Sequence, residues 1–215
     1  MLSSTAAGKH LRVAVLLSGT GTSFENLCEH IDTGVVPAEV VVVLSSKTDA
    51  TGLEKARWRG IPALAVPRKD FANNAHFNDA LHAALEPHAV ELVLLLGFLS
   101  LFEPRAKYAG RVINLHPALI PAFCGPGCYG RRVHESVLRT GVKITGASVH
   151  FADEQYDHGP IILQEAVPVL DDDTPESLAA RVQAAERRLL PQAVRLFAEG
   201  RLVVEGRHVR ILGAR

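Results

Sequence analysis

The 215-residue chain predicts an α/β domain: a mostly parallel, twisted sheet flanked by helices, then a C-terminal lobe containing antiparallel strands. Three observations carry this. Leu11–Leu17, Val40–Leu44 and Glu91–Leu96 are near-continuous apolar runs of strand length, the composition of strands buried on both faces. Segments of helical periodicity separate them, and strand–helix–strand alternation implies right-handed crossovers between parallel strands. Beyond residue 110 the runs give way to the apolar–polar alternation of antiparallel strands.

Taken in order, Leu11–Leu17 is a strand that runs into the turn Ser18-Gly19-Thr20-Gly21-Thr22-Ser23. A helix follows, with Phe24, Leu27, Cys28 and Ile31 on one stripe. Val40–Leu44 is the second strand, Thr51–Arg59 a helix closed by Gly60, and Ala63–Val66 a short third strand. Phe71–Leu85 is a helix stopped by Pro87, and Glu91–Leu96 is the fourth strand. Arg111–Leu115 is a short strand, His116–Gly130 a Pro- and Gly-punctuated loop, and Arg131–Arg139 a helix. Lys143–Phe151 and Ile161–Val169 alternate as strands. Asp171–Glu176 starts a helix with a capping residue, Pro at the first position and an acid in the first turn, and that helix runs to about Glu199. Leu202–Val204 and His208–Ile211 form a closing hairpin. The arrangement is Rossmann-like. It predicts an N-terminal tail over 1–10 and a single domain over 11–215, divided into lobes 11–110 and 111–200 and a hairpin 201–215.

Composition excludes several classes. Lys+Arg and Asp+Glu number 23 each, and zero net charge argues against a nucleic-acid partner read by the whole surface. The three cysteines, Cys28, Cys124 and Cys128, are too few for a zinc ribbon and odd in number for a disulfide framework, so no metal is expected. Residues 1–10 lack an apolar signal core and no apolar run is long enough for a bilayer, so the expectation is a soluble, cytoplasmic protein without a membrane partner.

Two groups of residues carry chemistry. Backbone N–H groups at the helix start after Gly19-Thr20-Gly21, with the hydroxyls of Thr22 and Ser23, form an anion site; a tight turn that binds nothing is the alternative. A dinucleotide fingerprint would need glycine at Phe24 and an acid at Ser45, and both are absent, which weakens an NADP-dependent reading without removing it. Asn114 and His116 share one face at a strand end, where an open α/β sheet forms its ligand crevice, and Asp157 lies in the turn before His158-Gly159-Pro160. A carboxylate beside His116 favours imidazolium, which with the Asn114 amide can stabilise an oxyanion and move a proton. That set suits acyl transfer to a nitrogen nucleophile without a covalent intermediate, since Gly-x-Ser-x-Gly is missing and the cysteines lack a base. A non-catalytic binding module remains the alternative from another class.

These residues resemble the phosphoribosylglycinamide formyltransferases over nearly the whole chain, from Leu11 to about Gly200. The resemblance rests on Leu16–Ser23, Ser45–Ala50, Gly97-Phe98, Asn114-Leu115-His116-Pro117, Ser148–Phe151, Asp157–Gln164 and Arg181–Glu186. It implies the formyltransferase fold and direct formyl transfer, through a tetrahedral intermediate, from 10-formyltetrahydrofolate to the amine of glycinamide ribonucleotide in purine biosynthesis. Carried over, Asn114, His116 and Asp157 match the catalytic residues, Gly21, Thr22 and Ser23 the phosphate turn, and Glu186 the acid on the ribose. Leu99, Ser100, Leu101 and Phe102 match the pteridine pocket, and Ala152, Asp153, Glu154, Gln155 and Tyr156 the loop closing over it. Asn74 stands where some members carry a folate-contacting arginine, as does Ser100. His150 matches a family histidine read as support for the loop. Thr20 and Ser23 replace common asparagines, Ala118 a common serine and His158 a frequent glycine, and 123–130 is longer than in many members. The partners implied are the two small molecules, with the protein a monomer or homodimer. The alternatives within the fold are a formyltetrahydrofolate hydrolase, a methionyl-tRNA formyltransferase and a sugar-nucleotide formyltransferase. The strand starting at Leu11 and the short stretch after Gly200 are expected to leave no room for the extra domains of the first two.

Overall fold

A computed structural model describes residues 10–213, so the tail over 1–9 and the last two residues lie outside the described part. β1 (Leu11–Leu17) is central because it is apolar on both sides: Val13, Val15 and Leu17 enter one buried cluster, Ala14 and Leu16 the other. Around it the chain forms α1 (Thr22–Asp32), β2 (Ala38–Ser45), α2 (Thr51–Trp58), β3 (Ala63–Ala65), α3 (Asn74–Leu85) and β4 (Leu92–Leu95). α4 (Arg105–Tyr108), β5 (Val112–His116), α5 (Arg131–Thr140), β6 (Ile144–Phe151), β7 (Ile161–Pro168), α6 (Pro175–Ala198), β8 (Leu202–Glu205) and β9 (His208–Ile211) follow. Among the described residues these strands make one nine-stranded sheet, ordered β3-β2-β1-β4-β5-β6-β7-β9-β8. β3 to β5 pair in parallel, and β6 turns antiparallel against β5 and β7. Phe24, Leu53, Val133 and Leu178 cover one face from α1, α2, α5 and α6; Phe77, Leu81 and Leu85 of α3 cover the other. Each fully buried leucine or phenylalanine stabilises by about 1.5–3 kcal/mol. No helix of the described residues is long and apolar enough to cross a membrane.

Three features differ from expectation. α3 begins at Asn74 rather than Phe71 because Asn73 caps it, its side chain accepting from the His76 N–H at 2.9 Å. α4 is a one-turn helix that periodicity is too short to register. The closing hairpin extends the main sheet, β9 meeting β7 in parallel at Ile161↔His208. The start of α6 is as expected: Thr174 and Ser177 form a reciprocal capping box around Pro175.

Pro191 lies inside α6 and has no N–H for the carbonyl of Arg187. Asn26 of α1, 5% exposed, supplies the missing donor, its Nδ2 reaching that carbonyl at 3.1 Å. The helix runs through its proline because a neighbour satisfies the freed acceptor, and the same bond holds the Glu186–Arg187 turn of α6 against the start of α1. Asn26→Leu would leave the Arg187 carbonyl without a partner. It is expected to lower stability by about 1–3 kcal/mol in urea unfolding; an unchanged midpoint would show that the bond carries nothing.

Candidate active site

β1 leads to α1 on one side and β4 lies next to it on the other, so the strand order reverses between them. Ligand crevices of open α/β sheets form at that point, outside the carboxyl ends of the strands. A cavity of about 480 Å³ opens there. Its first wall is the turn from Ser18 to Ser23. Gly21 caps α1 at φ 73°, in the left-handed region, and a Cβ on it would stand 2.9 Å from the Gly52 Cα of α2, so only glycine fits. The cap makes no side-chain hydrogen bond, which leaves the first N–H groups of the eleven-residue helix turned toward the cavity with the Thr22 and Ser23 side chains. Gln183 and Glu186, three apart on α6, line the same end.

The other end gathers Asn114, His116 and Asp157. Asn114 and His116 are on β5, and register sets Asn114 opposite His150 of β6. The Asn114 Nδ2 donates to His150 Nε2 at 2.9 Å and to Asp157 Oδ1 at 3.1 Å. His150, fully buried, donates from Nδ1 to the Phe151 carbonyl at 2.8 Å, which fixes its neutral tautomer with Nε2 as acceptor. His150 therefore orients the Asn114 amide, and its Nε2 stands 3.7 Å from Asp157 Oδ1 of the loop. His116 donates from Nε2 to the Phe123 carbonyl at 2.9 Å and turns Nδ1 to Asp157 Oδ1 at 3.5 Å. The second carboxylate oxygen, Oδ2, accepts the Gly125 N–H at 2.8 Å. Asp157 itself adopts φ 51°, a left-handed conformation that costs a non-glycine residue about 1–2 kcal/mol.

The electrostatics correct one expectation. Burial pushes the His116 pKa below its ordinary value, and the opposing pull of Asp157 does not restore it. The resting imidazole is neutral, with Nδ1 as its free acceptor. Burial also pushes Asp157 upward, but the carboxylate accepts from the Asn114 amide and the Gly125 N–H, and it is held below the usual carboxylate range and stays ionised. His134, buried on the same wall, is held down by burial and then by His116. The half-buried Glu186 has no hydrogen-bond partner among the described residues, and burial raises its carboxyl to about 7.

Leu99, Leu101, Phe102, Ala152, Asp153, Gln155 and Tyr156 line the cavity with the residues above. Asn74, Ser100 and Glu154 do not. The Asn74 amide is spent on Glu103 Oε1 at 2.7 Å, Ser100 is passed over by a lining that takes Leu99 and Leu101 on either side of it, and Glu154 is exposed at the tip of the Asp153 turn. Sequence reasoning passed over Gln183, whose spacing from Glu186 was a usable signal, and the backbone groups of Phe123 and Gly125, for which there was none. Among the described residues no group of three or more His, Cys, Asp or Glu is placed to hold a metal ion. Cys124 and Cys128 are free thiols, and burial raises that of Cys124.

Residues 11–194 match the family model described as formyl transferase. The chain belongs to the formyl transferase family. This formyl transferase is 35% identical to the phosphoribosylglycinamide formyltransferase of Haemophilus influenzae, covering 89% of each chain. It is 41% identical to the trifunctional purine biosynthetic protein adenosine-3 of Gallus gallus over 90% of its own length, and spans 19% of that larger protein. Its fold matches the crystal structure of glycinamide ribonucleotide transformylase 1 from Symbiobacterium toebii with a TM-score of 0.88 and 43% identity, over 96% of each chain.

A native pKa raised above the unfolded value means that folding favours the protonated acid, so this contribution to stability is lost as pH rises through about 7. Glu186→Gln removes the penalty. Partial exposure screens the effect to about 1 kcal/mol, so Tm should rise by about 2–4 °C at pH 8 and little at pH 5. Equal shifts at both pH values would contradict the assignment.

Proposed function

We propose that this formyl transferase moves the formyl group of 10-formyltetrahydrofolate to the amine of glycinamide ribonucleotide, giving N-formylglycinamide ribonucleotide and tetrahydrofolate in purine biosynthesis. The observation that carries it is a single cavity with a helix N-terminus and hydroxyls at one end and the Asn114–His116–Asp157 cluster at the other. The lobe 11–110 serves the phosphate through Gly21, Thr22 and Ser23, and Glu186, with Gln183, takes the ribose hydroxyls. The lobe 111–200 carries the chemistry, and Leu99, Leu101, Phe102 and the Ala152–Tyr156 loop enclose the pteridine.

The amine nitrogen bonds to the formyl carbon, and the bond from that carbon to the folate nitrogen breaks once the tetrahedral intermediate has formed. His116 Nδ1 takes the proton that the amine gives up. The imidazolium so formed has both N–H groups placed, one on the Phe123 carbonyl and one facing Asp157. Asp157 stabilises that charge, and the same proton passes to the leaving folate nitrogen directly or through a water. As the oxyanion develops, Asn114 turns to it one of the two amide N–H groups that rest on His150 and Asp157, and a buried donor of this kind is worth about 3–4 kcal/mol. The scheme uses no metal. Balanced charge fits small-molecule partners in the cytoplasm, without nucleic acid or membrane, for a monomer or homodimer.

His116→Asn and Asp157→Asn are each expected to cut kcat about a hundred-fold or more while leaving ribonucleotide binding in place. The wild-type kcat should fall on the acid side only below pH ~6.5, because the base form of His116 is the working one and burial lowers its pKa. Near-wild-type turnover in either variant would overturn the assignment.

A further inference from the structure

Asp157 sits in the loop between β6 and β7 with its backbone in a conformation that persists only where neighbours over-determine it. The base of the loop is tied to the sheet: the Phe151 N–H reaches the Pro160 carbonyl at 2.9 Å and the Ala152 N–H the Val112 carbonyl at 2.8 Å. Gly159 lies so close to the Phe151 carbonyl that a Cβ would overlap it. Toward the tip, Asp153 closes the loop on itself, Oδ1 accepting from the Gln155 N–H at 2.9 Å and Oδ2 facing His158 Nδ1 at 2.7 Å.

One tie comes from a distant part of the chain. Arg207, at the turn of the β8–β9 hairpin, directs Nη1 to His158 Nε2 at 3.0 Å and donates from Nη2 to the His158 carbonyl at 2.8 Å. A guanidinium only donates, so Nε2 is the acceptor and the imidazole proton is on Nδ1, donated to Asp153. Arg207 thus grips the ring and the backbone of the residue that follows Asp157, and through the ring it reaches the Asp153 turn. The hairpin is placed for this by the pairing of His208 with Ile161, at the start of β7. His158 and Arg207 are exposed, so their link adds little to global stability. It fixes the orientation of one segment.

We propose that Arg207, acting through His158, is a positioning residue for Asp157: the C-terminal hairpin holds the catalytic loop so that its carboxylate meets Asn114, His116 and Gly125. This rests on the reading of Asp157 as a catalytic residue, and the test separates the two.

The full-length protein is compared with Arg207→Met, Asp157→Asn and the double variant, using single-turnover formyl transfer, steady-state kinetics and amide hydrogen exchange. Arg207→Met should lower the transfer rate about three- to tenfold, a partial misplacement of a reacting group. The ribonucleotide KM should stay within about twofold and Tm within about 2 °C. Exchange should quicken over 152–158 and not in the β6 or β7 ladders. The double variant should be no slower than Asp157→Asn, since Arg207 acts only through that carboxylate. If Asp157→Asn is slow but Arg207→Met keeps the wild-type rate and exchange, the positioning role is overturned and the catalytic reading stands. The role is equally overturned if Arg207→Met slows the double variant by its full factor again. If Asp157→Asn keeps the wild-type rate, the catalytic reading falls and the positioning role falls with it.

Discussion

The carboxylate of Asp157 joins its own loop to β5 and to the long loop before α5. Its Oδ1 accepts from Asn114 of β5 and faces the His116 ring two residues on; its Oδ2 accepts from Gly125 in the long loop before α5. Burying a carboxylate is costly, and it stays ionised here only because donors surround it. The dependence runs both ways. An ionised Asp157 orders the 123–130 loop through Gly125 and, with His150, leaves the Asn114 amide one orientation, since an oxygen turned toward the two acceptors would be repelled. It also gives His116 somewhere to put a positive charge during the reaction while burial keeps the resting ring neutral.

Sheet topology brings the rest of the site to this centre. The reversal of strand order between β1 and β4 opens the crevice, and the antiparallel turn of β6 carries His150 back beside Asn114. The far end is set by packing between helices. Asn26 satisfies the carbonyl that Pro191 leaves free, and so holds Glu186 and Gln183 of α6 against the N-terminus of α1.

Much of this was legible in the residues. Apolar runs gave the parallel strands, and Thr174-Pro175-Glu176 gave the start of the longest helix, because both signals are local. The Gly21 turn was legible because a left-handed cap needs glycine. The misses were non-local. α4 is a single turn, α3 starts after the Asn73 cap rather than at Phe71, and the hairpin's place beside β7 depends on one pairing. That Asn114 meets His150 follows from strand register, which spacing does not contain. The charge of His116 was misjudged because a nearby carboxylate is visible in sequence and the depth of burial is not. Asn74, Ser100 and Glu154 are placed by resemblance alone, and none of them lines the cavity: the Asn74 amide is bonded to Glu103 and Glu154 is exposed. His158 stood out only as a departure from a frequent glycine, and its partner Arg207 lies 49 residues on.

The central claim is that one cavity brings a formyl donor and a phosphorylated amine together for direct transfer. Its most direct test follows tetrahydrofolate release from 10-formyltetrahydrofolate optically, with and without glycinamide ribonucleotide. The account predicts release only when the ribonucleotide is present, with one formylated product per folate released. Release at the same rate without it would make the protein a hydrolase, and no release in either case would place the acceptor among other amines, such as sugar nucleotides; either result would contradict the account.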